Sequence, residues 1–237
     1  MANKWGYIDK TGKYVINPQF DWAVHFTEGL AAVNIGANPD KSISEMGGKW
    51  GYIDKTGKYV INPQFDIAAE FSGGLAVVML EKKCGYIDKT GKYVINPQFD
   101  IAFNFSEGLA PVMLENKWGY IDKTGKYVIN PQFVSVSEFF SEGLSEVCLG
   151  WTKCGYINKT GKYIVNPEFD WASHFSEGLA AVMLEKKCGY IDKTGKFVIN
   201  PQFDDAEDFH EGLAQVKIGN KLGYVDKTGK YVWQPSK

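Results

Sequence analysis

Few residues in this chain have the types and spacing that chemistry requires, and most of them repeat. The three histidines are His25, His174 and His210. His25 and His174 share one slot, filled elsewhere by Glu70, Asn104, Phe139 and Asp208, while His210 falls two positions after it. A slot so variable reads as solvent-facing, and no Cys/His spacing fits a zinc site. Cys84, Cys154 and Cys188 stand where other copies of the same segment place Trp5, Trp50 and Trp118, so they read as small apolar core residues. Cys148 and Cys154 could face each other across a hairpin; the expectation is a free thiol pair in a reducing compartment. Asp9 and Glu28 recur as carboxylates, each with a turn to stabilise. A glycosidase-type pair would be a single constellation, not one printed in copy after copy. The sequence has no phosphate loop, no Gly-x-Ser-x-Gly elbow and no His-Glu-x-x-His. No catalytic, cofactor or metal site is expected, and the chain is not expected to be an enzyme.

Two features point to binding. Lysine recurs at the slots of Lys4, Lys10 and Lys13, which hold 21 of the 26 basic residues, three in each of seven copies. In a regular array Lys10, Lys55, Lys89, Lys123, Lys159, Lys193 and Lys227 would form a stripe able to engage a periodic polyanion. The simpler reading is that they keep a β array soluble and protect its edges. Trp22 and Trp171 fall in an expected surface turn where other copies have Ile67, Ile101 or Asp205. Exposed tryptophan is enriched at binding hot spots; partial burial against the next copy is the alternative.

Composition narrows the partners. The net charge is −2, and all 26 basic residues are lysine. Without arginine, bidentate readout of guanine or phosphate is disfavoured, so specific nucleic-acid binding is not expected. No run of 18 apolar residues is present, which argues against membrane insertion. The chain opens directly on the first repeat, with no charged-then-apolar leader. A cytoplasmic location is therefore the default, with cell-surface association as the other option.

What must position these residues is one short segment copied in tandem. Lys49–Phe65 reads K-W-G-Y-I-D-K-T-G-K-Y-V-I-N-P-Q-F, and its glycine recurs at 6, 51, 85, 119, 155, 189 and 223. The steps are 45, 34, 34, 36, 34 and 34 residues, a period that marks a solenoid, propeller or related array. Asp9-Lys10-Thr11-Gly12-Lys13 has the chemistry of a type I turn with a glycine bulge. That turn predicts Ile8 opposite Tyr14 and Tyr7 opposite Val15, in a hairpin apolar on both faces that neighbours must sandwich. Asn17-Pro18 is expected to end the second strand. Phe20–Phe26 suggests one helical or 3₁₀ turn capped by Asp21. Glu28-Gly29 then turns the chain into a strand from Leu30 to Ile35, which gives about three antiparallel strands per unit. Copies start near 4, 49, 83, 117, 153, 187 and 221, in a single array over 1–237.

Two stretches break the pattern. An insertion in Gly36–Gly48 is polar and Gly-rich and reads as a surface loop. In the fourth copy, Val134–Phe140 replaces the Asp-x-Ala-x-x-Phe segment and Ser145-Glu146 replaces Ala-Ala. It reads as drift or as a local binding surface.

The pattern K-W-G-Y-I-D-x-x-G-K-x-V-I-N-P-x-F, followed by F-x-E-G-L-A-x-V, resembles the bacterial WG-repeat (KWG) family over essentially the whole chain. The resemblance implies a β-rich interaction repeat and brings no catalytic residues. The namesake Trp is absent at Cys84, Cys154, Cys188 and Leu222, which makes that slot a packing position rather than a ligand-stacking one. The expected fold is all-β: seven ~34-residue repeats in an open, solenoid-like superhelix, with a seven-bladed, propeller-like closed ring as the alternative. The open form is favoured because seven hairpins are matched by only six Leu-Ala-x-Val strands. The expected function is a non-catalytic scaffold that binds a protein along a repetitive surface. A glycan or cell-wall polyanion is the alternative ligand, and no cofactor is implied.

Overall fold

The computed structural model describes residues 4–38, 41, 47–150 and 152–233. Each hairpin closes as its turn residues dictate. Asp54 Oδ1 accepts from Thr56 N at 2.8 Å, Thr56 Oγ1 at 2.6 Å and Lys58 N at 3.2 Å. Gly57 supplies the left-handed residue, with φ of 85°, and donates to Asp54 O. Asn158 makes the same three bonds in its copy, so a neutral amide oxygen suffices for the turn.

Beyond the turn the register departs from the simple expectation. Ile53 lies opposite Tyr59, but Tyr52 lies opposite Ile61 and Trp50 opposite Phe65, with two register shifts between them. The first copy behaves alike: Tyr7 pairs with Ile16, not Val15. The extra residues Asn62-Pro63-Gln64 bulge across from Gly51. There the strand continues through the proline to Phe65 instead of ending at it, because a bulge needs no ladder donor from proline. Glycine is obligatory opposite it. A Cβ on Gly51 would lie 2.5 Å from Ile61 O and 2.6 Å from Pro63 N. The bulge also alters the faces. Ile61 and Phe65 turn inward while Val60, Asn62 and Gln64 stay exposed. The outer strand therefore has one solvent face, while the Trp-Gly strand beside it is buried on both.

Phe20–Phe26 and its equivalents contain no helical turn; the described residues contain no helix at all. Ile67–Ala68 is a two-residue strand, with Ile67 opposite Met79 and Ala68 opposite Val78. Asp66 N and Ala69 N add bonds to Met79 O and Val77 O. The Leu-Ala-x-Val strand thus satisfies backbone groups that a helix would have paired locally. Each complete sheet has four antiparallel strands, not three. It joins the short strand and Leu strand of one sequence copy to the hairpin of the next, in linear order with no closure into a barrel.

The chain packs as two compact units, residues 1–115 with 122–126 and residues 116–121 with 127–237. The first holds the hairpin Trp5–Ile8/Tyr14–Phe20 and two four-stranded sheets, Trp22–Phe65 and Ile67–Phe99. The strands Ile101–Ala102 and Leu109–Leu114 follow. The second holds the hairpin Lys117–Asp122/Tyr127–Phe133 and three sheets, Ser135–Phe169, Trp171–Phe203 and Asp205–Trp233. Most of the insertion at 36–48 lies outside the described residues.

The core lies between successive sheets. In the first unit Leu30, Trp50, Tyr52, Ile61 and Phe65 of one sheet meet Ala68, Phe71, Val78 and Ile87 of the next. Tyr52 is fully buried, its ring 4.9 Å from Phe71 and its hydroxyl donating to Ala69 O at 2.7 Å. Tyr7, Tyr86, Tyr156 and Tyr190 repeat that bond to a carbonyl 17 residues on. One large apolar ring with a satisfied hydroxyl thus anchors each layer.

Gly189→Ala should cost at least about 3 kcal/mol or prevent folding, because its Cβ would meet backbone atoms that cannot yield. Gly178→Ala has open space and only a positive φ, so it should cost about 1–2 kcal/mol. Urea unfolding of the two variants separates the mechanisms. The turn aspartates predict a pH effect. Hydrogen bonds from Thr90, Thr124 and Thr194 hold Asp88, Asp122 and Asp192 below the usual Asp range. Their stabilisation is present above the unfolded Asp value of about 3.9 and is lost as pH falls below it. The triple variant D88N/D122N/D192N keeps the acceptors, so its acid unfolding curve should be flatter than that of the parent, as read by circular dichroism.

Candidate functional site

Most of the recurrent charges have local tasks. After four of the outer strands an Asp (Asp21, Asp66, Asp100 or Asp204) bridges a lysine and a backbone amide. Asp66 takes Lys49 Nζ on Oδ1 at 2.6 Å and Glu81 N on Oδ2 at 2.8 Å, and Asp100 does the same with Lys83 and Glu115 N. Val134 removes this carboxylate from the fourth copy.

The turn lysines act over a longer range. Glu28 sits in a tight two-residue turn at φ of 49°, where Thr27 and Leu30 exchange backbone bonds. Its carboxylate accepts from Gly74 N of the second copy at 3.1 Å and pairs with Lys89 of the third at 3.0 Å. Glu142 is answered by Gly178 N and Lys193, and Glu177 by Gly212 N and Lys227. Each clamp therefore ties three consecutive copies. The Lys227 ammonium is the chief reason that Glu177 lies below the usual carboxylate range. Where Gly73 replaces the glutamate, Lys123 Nζ donates to the Gly73 carbonyl instead, at 2.6 Å. Of the stripe expected from the sequence, Lys89, Lys123, Lys193 and Lys227 are clamps, Lys159 also has a partner, and Lys10 and Lys55 are exposed.

The variable histidine slot is exposed, but its residues meet across copies. His25 Nε2 lies 3.0 Å from Glu70, and His174 Nε2 lies 3.4 Å from Asp208 with its ring 5.2 Å from Phe139. The two tryptophans differ. Trp22 is half-buried against the core of its sheet, with its ring 5.2 Å from Trp5. Trp171 is 42% exposed. It lines a groove of about 470 Å³ with Ser173, Asp205, Ala206, Glu207 and Asp208. Ser173 Oγ donates to Asp208 there at 2.6 Å. The equivalent groove in the first unit, about 290 Å³, is lined mainly by Ile67, Val77, Met79, Cys84 and Ile101. The same notch beside the short strands is thus apolar in one place and acidic with a tryptophan in another.

The fourth copy departs from the pattern inside the sheet. Cys148 lies directly opposite Cys154, and the two form a disulfide. This corrects the expectation of free thiols: the cross-strand register brings both sulfurs to one face. Cys84 and Cys188, opposite Met79 and Met183, are free and buried. Glu146 shares the face of Cys148, two residues away, and lies opposite Tyr156. Burial pushes its carboxyl up to about 7. Ser145 points to the other face, where its hydroxyl lies 2.8 Å from Tyr120 OH. Among the described residues, Glu146, Cys148 and Cys154 form the one group of three potential metal ligands. The sequence signal for it is a glutamate in a slot that elsewhere holds Ala32, Val77, Pro111, Ala181 and Gln215.

Tandem antiparallel sheets locked by a Trp-Gly strand against an Asn-Pro bulge define a β-repeat protein. The chain belongs to the WG containing repeat family, whose model matches residues 5–38, 50–84, 85–118, 118–150, 155–188 and 189–221. Comparison with curated proteins gives no match. Among solved structures the chain is similar to a eukaryotic initiation factor, with a TM-score of 0.62 and 11% identity over 96% of this chain and 69% of that one. It also resembles the computationally designed Ika8 protein, with a TM-score of 0.52 and 9% identity over 93% and 77% of the two chains. For Saccharomyces cerevisiae Sqt1 the TM-score is 0.51, with 11% identity over 93% and 75%. At such identities the likeness is one of fold, a repeated and propeller-like set of β-sheets. No helix among the described residues is long and apolar enough to cross a membrane.

The clamp predicts a small and screenable coupling. A double-mutant cycle with Glu177→Gln and Lys227→Met should give about 0.5–1 kcal/mol at low salt, shrinking in 1 M salt. Urea unfolding at the two ionic strengths measures it.

Proposed function

We propose that the chain is a non-catalytic scaffold that binds a protein partner along the notches beside its short strands. One observation carries this reading. Trp171 is exposed in a groove whose equivalent in the first unit sits at the same place beside the short strands but has a different, apolar lining. Core slots such as Tyr52, Tyr86 and Tyr190 keep one residue type, while the short-strand slot runs through Trp22, Ile67, Ile101, Ser135, Trp171 and Asp205. An array that holds its layers constant and varies one accessible edge is suited to recognising an irregular surface, which a protein has and a periodic polymer lacks. The WG containing repeat and the repeated β-sheet fold support a binding role of this kind. The lysine clamps weigh against a polyanion, because four of the seven stripe lysines already contact a glutamate or a backbone carbonyl.

The test starts with affinity purification of a partner from source cells, followed by calorimetry with the purified partner. Trp171→Ala should weaken binding by about 30-fold or more, the level of an aromatic hot spot. The change from low to 0.5 M salt should matter far less. Binding that ignores Trp171→Ala yet collapses with salt would replace the protein-scaffold reading with the polyanion one.

A further inference from the structure

Glu146 is out of place in a sheet that packs like its neighbours. Its strand face meets an apolar layer that includes Leu144, Tyr156, Phe175 and Val182. Burying a carboxylate there is costly unless a donor or a cation answers it. Among the described residues no lysine or histidine pairs with Glu146, and its side-chain contact is with Cys148 Sγ, 3.3 Å from Oε1. In the disulfide that sulfur carries no proton, so the contact gives the carboxylate no donor. A structural disulfide needs no such neighbour.

We propose that Glu146, Cys148 and Cys154 form a redox-gated site for a thiophilic divalent cation of the Zn²⁺ class. The carboxylate oxygen and the two sulfurs already lie within 4.8 Å of one another. A tetrahedral ion with Zn–S bonds of about 2.3 Å and a Zn–O bond of about 2.0 Å holds its sulfurs about 3.8 Å apart and its oxygen about 3.5 Å from each. The Glu146 oxygen already lies 3.3 Å from Cys148 Sγ, close to that distance, and within 4.8 Å of Cys154 Sγ. The two sulfurs must part and Cys154 Sγ must settle against the carboxylate, and as direct cross-strand neighbours the cysteines can do so by side-chain rotation. Two equivalents of a thiol reductant open the site: the S–S bond breaks, each cysteine sulfur gains a hydrogen, and the two reductant molecules couple as their own disulfide. The cation then displaces both thiol protons to water and is held by two thiolates and the Glu146 carboxylate, with a fourth position for solvent. A small-molecule disulfide oxidant reverses this: it takes the two electrons and two protons to become two thiols, the cysteine sulfurs rejoin, and the ion is released. The other buried thiols lack this geometry, because Cys84 faces Met79 and Cys188 faces Met183.

The experiment uses the full chain, reduced under nitrogen with a non-chelating phosphine or left oxidised, in Zn²⁺ competition against a chromophoric chelator. The reduced chain should take up one Zn²⁺ and the oxidised chain none. With Co²⁺ in place of Zn²⁺, the reduced chain should show a thiolate-to-metal absorption band. Glu146→Gln should weaken Zn²⁺ binding by about tenfold or more while keeping the band, as expected for loss of an oxygen ligand. The double variant C148S/C154S should abolish both signals. If that variant does not fold, the oxidised parent serves as the control, since it lacks these two thiolates and keeps only the buried Cys84 and Cys188. Equal uptake by the reduced and oxidised chains overturns the proposal, as does unchanged affinity in Glu146→Gln.

Discussion

The fold depends on the absence of one atom. In each Trp-Gly strand the glycine sits where the Asn-Pro bulge of the partner strand presses closest, and in six copies a methyl group would come within 2.5–2.6 Å of a carbonyl oxygen. The bulge follows from proline, which cannot donate to the ladder and so leaves the strand an extra residue to absorb. Its consequence is rotation: past the bulge, the outer strand brings Phe65 opposite Trp50. That phenylalanine, fully buried, then meets Tyr93 edge-on at 6.3 Å. The contact between successive sheets therefore rests on a backbone accommodation several residues away.

Local chemistry was legible in the sequence wherever it closed within a few residues. The Asp-Lys-Thr-Gly-Lys turn, the tight Glu-Gly turn and the pairing of Ile8 with Tyr14 all follow from residue types in sequence. The pairing of Tyr7 with Ile16 did not, because two register shifts in one short hairpin obey no alternation rule. Asp21 looked like a helix cap. Its carboxylate is instead taken by Lys4 and by the amide of Gly36, and the segment after it finds backbone partners on a strand still to come. The lysine stripe failed as a free surface for a similar reason, since the glutamate that answers Lys89 stands 61 residues earlier. At the candidate sites, Trp171 could be named from its turn. The disulfide needed the register, and Glu146 needed both the register and the layer it faces.

The copies divide their positions between two duties. Slots that face another sheet hold Tyr, Phe, Ile or a small residue, because a layer flanked by other layers tolerates little change in volume. Slots beside the short strands change freely, whereas the outer strand reads Y-V-I-N-P-Q-F in four copies and differs by one to three residues in two more. The fourth copy is the exception that places a carboxylate and a disulfide on the inner side of that division. In a protein whose repeats otherwise treat the interior as apolar, that is where chemistry distinct from packing is concentrated.

The three-copy clamp has a consequence for how such a chain can change its length. The carboxylates of Glu28, Glu142 and Glu177 are each answered by an amide one copy ahead and a lysine two copies ahead, and most copies carry the same groups in sequence. A recombination event that adds or deletes one whole 34-residue copy leaves every donor facing an acceptor of the same kind. One that adds a fraction of a copy breaks the lattice on both sides of the junction. The clamp thus acts as a reading frame written in charge, open to changes in copy number and closed to changes in phase.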